Sequence, residues 1–238
     1  MKTKTYQYFD IILVSFVVIL IISNIASSAK IIDLGFSIAE IPMAFDAGTL
    51  LFPISYIFGD ILTEVYGYRK SRYVIWVGFI ALAITSFIFW GIGVLPAEVT
   101  WQGYAGDAAY NSILGGMSTG GIVFGSLAGF WLGEFSNSFV LSKMKVLTKG
   151  RWLWSRTITS TLIGQLIDTA MFVVVASLFG VFPWSLFLTL TIANYIFKVA
   201  TEVLATPLTY LLVNKLKQVE KEDYYDTNTN FNPFITQE

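Results

Sequence analysis

Asp60 and Glu64 stand four residues apart inside FPISYIFGDILTEVYGYRK, residues 52–70, a stretch otherwise apolar enough for hydrocarbon. That spacing puts both carboxylates on one face of a helix. The pattern recurs in the last apolar run, where Lys198 and Glu202 are four apart and Asn194 continues the stripe beyond Lys198. In the run before it, Gln165 precedes Asp168 by three residues and Thr161 precedes Gln165 by four. Glu134 is a further acid within an apolar segment. An ionised side chain at the centre of a membrane helix costs about 2.5–3.5 kcal/mol on insertion scales. Groups kept at that cost suit two kinds of chemistry: gripping a polar solute by directed hydrogen bonds, and taking up or releasing a proton. The chain has no histidine and no cysteine, which removes thiolate chemistry, disulfides, histidine metal sites and histidine-based triads. Neither a catalytic set nor a metal-ligand set emerges, and no cofactor is implied.

The elements that must carry these residues are membrane helices. Of 238 residues, 55% are hydrophobic and 13% charged, against about a quarter charged in soluble domains. The expected fold class is an all-α integral membrane protein with six transmembrane helices, near residues 9–29, 45–66, 73–95, 120–142, 157–180 and 184–215. These runs are too long and too uniformly apolar for barrel strands. Lys2 and Lys4 ahead of the first run, with Ser27-Ser28-Ala29 after it, resemble a secretory signal. The run is nevertheless long enough to span, so it is expected to be a retained first helix. Residues 1–216 form the expected membrane domain and 217–238 a polar cytoplasmic tail, expected to be mobile.

Basic residues set the expected orientation. They fall before the first helix (Lys2, Lys4), between the second and third (Arg69, Lys70, Arg72), between the fourth and fifth (Lys143, Lys145, Lys149, Arg151, Arg156) and after the sixth (Lys215, Lys217, Lys221). The three other loops hold only Lys30. Both termini are therefore expected to be cytoplasmic. Nothing resembles a basic stripe for nucleic acid; the bilayer is the implied partner, and a homo-oligomer stays open.

Depth follows from the helical rise of about 1.5 Å per residue. Asp168, twelve residues from both Arg156 and Gly180, falls near the midplane, with Lys198 and Glu202 in the middle third of the sixth helix. Asp60 and Glu64 are shallower, with Glu64 only five residues before Arg69, and Glu134 sits similarly, nine before Lys143; for Glu64 and Glu134, pairing with cytoplasmic cations and a functional role are both open. Asp46 suits a helix start. Five acids (Asp60, Glu64, Glu134, Asp168, Glu202) face one deep base, Lys198, so some acids are expected to be protonated or to await a cationic ligand. Gly125, Gly129 and Gly133 make a small-residue face for close helix packing. Pro53 and Pro207 can kink their helices.

Four stretches together resemble one family: FDAGTLLFPISYIFGDILTEVYGYRKSR, GEFSNSFVLSKMK, RTITSTLIGQLIDTAMF and NYIFKVATEVLATP. The chain is similar to the vitamin uptake group that contains the queuosine precursor transporters, over nearly its whole length up to Leu216. The resemblance implies a six-helix inner-membrane carrier whose small-molecule partner is a deazapurine, 7-cyano- or 7-aminomethyl-7-deazaguanine, salvaged for tRNA modification. Such a base fits the residues found independently. Asp168 or Glu202 can accept its adjacent N–H donors, and Gln165, Lys198 or Asn194 can meet its carbonyl. Asp60 lines the same path, and Glu64 and Glu134 suit a gate or proton relay. Proton coupling is expected because carboxylates at depth can bind and lose protons. Two alternatives are a substrate-capture subunit of an ATP-driven importer and, further off, an intramembrane aspartyl protease built on Asp60.

Overall fold

The computed structural model describes residues 5–38, 41–118 and 120–235; Lys2 and Lys4 lie outside them. The elements are α1 (Phe9–Ala29), β1 (Ile31–Ile38), β2 (Ile41–Asp46), α2 (Phe52–Tyr66), α3 (Tyr68–Val94), α4 (Val99–Tyr104), α5 (Gly106–Ser118), α6 (Gly120–Leu147), α7 (Leu153–Leu178) and α8 (Phe187–Glu220). Among the described residues, five helical stretches are long and apolar enough to cross a membrane. The protein is a multi-pass membrane protein, all-α among the described residues apart from one antiparallel hairpin.

That hairpin changes the second expected span. Residues 45–46 close β2, pairing Phe45 with Ile32 and Asp46 with Ile31, and the helix begins only at Phe52. Asp46, expected at a helix start, ends a strand. Gly35, at φ +73°, lies where the register of the two strands shifts; this left-handed conformation favours glycine. At 15 residues and about 1.5 Å each, α2 is about 22 Å long, short of the roughly 30 Å hydrocarbon core. The stretch after residue 95, expected as a loop between spans, forms α4 and α5, with Glu98 capping α4 through the Trp101 amide at 2.8 Å.

The bundle is organised around α2, which packs on α1, α3, α6 and α8, while α6 lies closely along α7. The glycine face of α6 explains that approach. A Cβ on Gly125 would meet the Phe172 carbonyl at 3.0 Å, one on Gly129 the Asp168 carbonyl at 2.7 Å, and one on Gly133 the Asp168 Cβ at 2.6 Å. Gly91 on α3 has open space instead. Gly133→Ala is therefore expected to cost about 1–3 kcal/mol through overpacking, whereas Gly91→Ala is neutral or stabilising by up to about 1 kcal/mol from helix propensity. Thermal unfolding of the two purified variants in detergent checks the contrast.

The tail is the largest departure from expectation. Its polar composition suggested mobility, yet residues 222–235 lie across the ends of α2, α3 and α6. The tail supplies what exposed helix ends lack. The first amides of a helix have no intrahelical acceptor, and both Asp226 oxygens accept from Tyr68 N, the first amide of α3, at 3.2 and 3.0 Å. Glu220, at the end of α8, serves α1 likewise, accepting from the Gln7 and Tyr8 amides at 3.0 and 2.7 Å. Arg72 donates to the Asn230 and Asn232 carbonyls, and Trp76 Nε1 to the Pro233 carbonyl. Phe231 packs on Tyr68, with ring centres 4.8 Å apart. A Cβ on Gly67, between α2 and α3 at φ +83°, would collide with the Tyr224 ring. Asp226→Ala removes the cap of α3 and is expected to lower stability by about 0.5–2 kcal/mol, read as earlier unfolding and faster proteolysis of the tail.

Candidate functional site

Two polar clusters sit inside the bundle, and α2 contributes to both. Asp60 and Glu64 share a face but differ in depth by one helical turn, and each enters a different cluster.

Glu64 is fully buried and belongs to the cluster nearer the basic helix ends. Arg156 from α7 grips it with two prongs, Nε to Oε2 at 2.9 Å and Nη2 to Oε1 at 2.6 Å. Lys217 from α8 reaches Oε1 at 2.6 Å, and Lys145 from α6 lies at 3.6 Å. Lys145 also donates to the Glu64 carbonyl at 2.5 Å. Asp223 from the tail accepts from Lys145 and Lys217 at 2.6 and 2.8 Å. Partial burial pushes the Asp223 carboxyl up, but hydrogen bonds and charge from the two lysines outweigh it and hold it below the usual carboxylate range. Its contribution to tail docking is thus present above the ordinary aspartate pKa of about 3.9 and fades as pH falls through the lower folded value. Just inside this layer, the hydroxyls of Thr63, Ser71 and Ser138 form a triangle with sides of 2.8–3.0 Å, tying α2 to α3 and α6.

The deeper cluster lies between α2, α6, α7 and α8. Asn137 Nδ2 donates to Asp60 Oδ1 at 3.2 Å. Glu134 lies against Gly59, whose added Cβ would sit 3.0 Å from Glu134 Oε2. Thr161 donates to Glu202 Oε1, and Gln165 faces both Glu202 and Tyr56. Lys198 from α8 is ion-paired with Asp168 from α7. Gly129 and Gly133 leave room on α6 for Asp168. Asp60, Glu134, Gln165 and Glu202 are buried, whereas Asp168 and Lys198 keep 19% and 17% of their side-chain surface. The ion pair therefore stands where the cluster approaches the outside of the α7–α8 packing.

Of the sequence-selected residues, the fold brings Asp60, Glu134, Gln165, Asp168, Lys198 and Glu202 together. Glu134 joins Asp60 rather than Glu64, because α6 presents it toward Gly59, whose missing side chain makes room for it. Glu64 is set apart, in the ionic cluster. Asn194 is also set apart: its side chain is exposed and donates to the Leu190 carbonyl of its own helix at 2.9 Å. Asn137 was missed as a member. Asn137 follows Glu134 by three residues and so shares its face, a signal that could have found it; Tyr56 precedes Asp60 by four in the same way.

Within this cluster four buried oxygens find no hydrogen-bond donor among the described residues: Glu134 Oε2, Asn137 Oδ1, Gln165 Oε1 and Glu202 Oε2. Leaving a buried acceptor unsatisfied costs about 1–3 kcal/mol. All four lack the same thing, a hydrogen to accept. The cluster can meet that need by protonation of a carboxyl group or by a ligand presenting several N–H groups.

Residues 46–212 match the family described as "Putative vitamin uptake transporter". A relative from Bacillus subtilis (strain 168), "Probable queuosine precursor transporter", is 28% identical over 165 residues, covering 68% of this chain and 69% of its own length. No solved structure matches.

Proposed function

The chain belongs to the vitamin uptake transporter family, a transporter and not an enzyme, and from that premise we propose that it imports queuosine precursors across the inner membrane together with protons. The cargo is 7-cyano- or 7-aminomethyl-7-deazaguanine. In this reading both termini are cytoplasmic, and α2 with the preceding hairpin makes a sixth crossing beside the five long helices.

The observation that carries the proposal is the set of acceptor oxygens in the deep cluster. A deazaguanine edge presents adjacent N–H donors, which one carboxylate can accept side by side. Glu202 and Asp168 are assigned to that edge, Gln165 and Lys198 to the ring carbonyl, and Asp60 with Glu134 to the remaining donors and the proton. Tyr56 offers a ring face to the flat base. Four acids, Asp60, Glu134, Asp168 and Glu202, stand against Lys198 in this cluster. A cargo bearing few positive charges leaves negative charge behind, and a proton taken up with it removes part of the remainder. Cargo and proton then move in the same direction. Glu64 acts in this reading as the fixed centre of the cytoplasmic closure.

Uptake of radiolabelled 7-deazaguanine derivatives into vesicles reconstituted with this chain alone is the test. Uptake driven by an imposed inward proton gradient, and abolished by a protonophore, is the expected result. Uptake indifferent to the gradient contradicts coupling, and no uptake without an added ATPase favours a substrate-capture subunit instead.

A further inference from the structure

A cavity of about 850 Å³ lies at the basic end of the bundle, outside both polar clusters. Arg69 and Lys70, on the first turn of α3, line it together with Tyr73, Trp76 and Ile80 farther along the same helix. The spacing from Arg69 through residues 73, 76 and 80 keeps these side chains on one face. Eleven residues separate Arg69 from Ile80, about 16 Å of helix, close to half of the roughly 30 Å hydrocarbon core. The cavity thus has cations at one end and an apolar wall along the helix, with Phe234 and Ile235 of the tail also lining it. Tyr73 and Ile80 are 57% and 52% exposed, so the wall is open sideways, where acyl chains lie.

The two cations are placed for an anion. Neither forms an ion pair among the described residues, in contrast to Lys145, Arg156 and Lys217. The Lys70 ammonium rests 5.0 Å from the Phe9 ring centre and 5.8 Å from that of Tyr6, contacts that position it without cancelling its charge. Arg72 is different, since it is committed to tail carbonyls.

We propose that this cavity holds one anionic phospholipid, its phosphate-bearing headgroup against Arg69 and Lys70 and an acyl chain along the Tyr73–Ile80 face. Free phosphate could meet the cations but would leave the apolar wall uncovered. The site is independent of the cargo cluster and of the transported molecule.

The test is native mass spectrometry of the full chain released from nanodiscs containing phosphatidylglycerol and phosphatidylethanolamine. Each basic residue near a membrane surface contributes about 1 kcal/mol toward an anionic lipid, so two give roughly 30-fold preference. One phosphatidylglycerol retained at about 10- to 30-fold over phosphatidylethanolamine is expected. Arg69→Gln, at an exposed position, should reduce that preference about fivefold, and Ile80→Trp should displace lipid of either kind by filling the wall. Equal retention of the two lipids by the wild type, retention unchanged in both variants, or displacement of phosphatidylglycerol by millimolar inorganic phosphate overturns the proposal.

Discussion

Glu64→Gln is expected to be the most destabilising single substitution in the membrane bundle, lowering stability by about 3–5 kcal/mol, the cost of removing one partner from a buried ion pair. Glutamine keeps the shape and loses the charge. Arg156, with 1% of its side chain exposed, would retain only a neutral amide and the Arg151 carbonyl at 2.6 Å. Lys145 and Lys217 would then repel each other with only Asp223 between them. Arg156→Gln alone should cost less, because the two lysines still compensate Glu64. The double variant should be more stable than the sum of the single effects predicts, since the residues share one network. Thermal unfolding of the four proteins in one detergent measures this. Additive effects would mean that the ion pairs contribute independently, against the geometry found.

The second large effect is on transport. Asp168→Asn and Glu202→Gln are expected to abolish uptake while leaving membrane insertion and unfolding temperature nearly intact. Removing one charged partner of a desolvated hydrogen bond costs about 2–5 kcal/mol, which is roughly 30- to several-thousand-fold in affinity. The fold should tolerate both changes. Asp168 is half-buried and its neighbour Lys198 keeps some exposure; Glu202 already has one oxygen without a donor, which an amide nitrogen can replace. Substituting Lys198 by alanine should also impair uptake, by leaving Asp168 without its ion-pair partner.

Long-range placement separates what could be read in the sequence from what could not. Helical spacing put Gln165 and Asp168 on one face of α7 and Lys198 and Glu202 on one face of α8, and the fold sets these two faces against each other. Counting gave Glu134 a level like that of Asp60 and Glu64; which of the two it joins is set by the contact of α6 with Gly59. Spacing also set Asn194 on the stripe of Lys198, yet its side chain is exposed and bonds to the Leu190 carbonyl of its own helix. The hairpin was hidden because IPMAFD is as apolar as the helix that follows it, and a short apolar run reads the same in either conformation. The tail was misread for a related reason. Its acids and carbonyls look solvated locally, yet their partners are the open amides of α3 and the side chains of Lys145, Arg72 and Trp76, brought there only by the fold. The family resemblance, by contrast, lay in whole motifs and was legible from the start.

Equilibrium binding of radiolabelled 7-aminomethyl-7-deazaguanine to the purified chain tests the cargo site most directly, because it separates recognition from proton coupling and from the state of the membrane. Saturable binding by the wild type, weakened at least about 30-fold in Glu202→Gln and unchanged in Asn194→Ala, is the predicted outcome. Equal affinity in the wild type and Glu202→Gln would contradict a cargo site between α2, α6, α7 and α8.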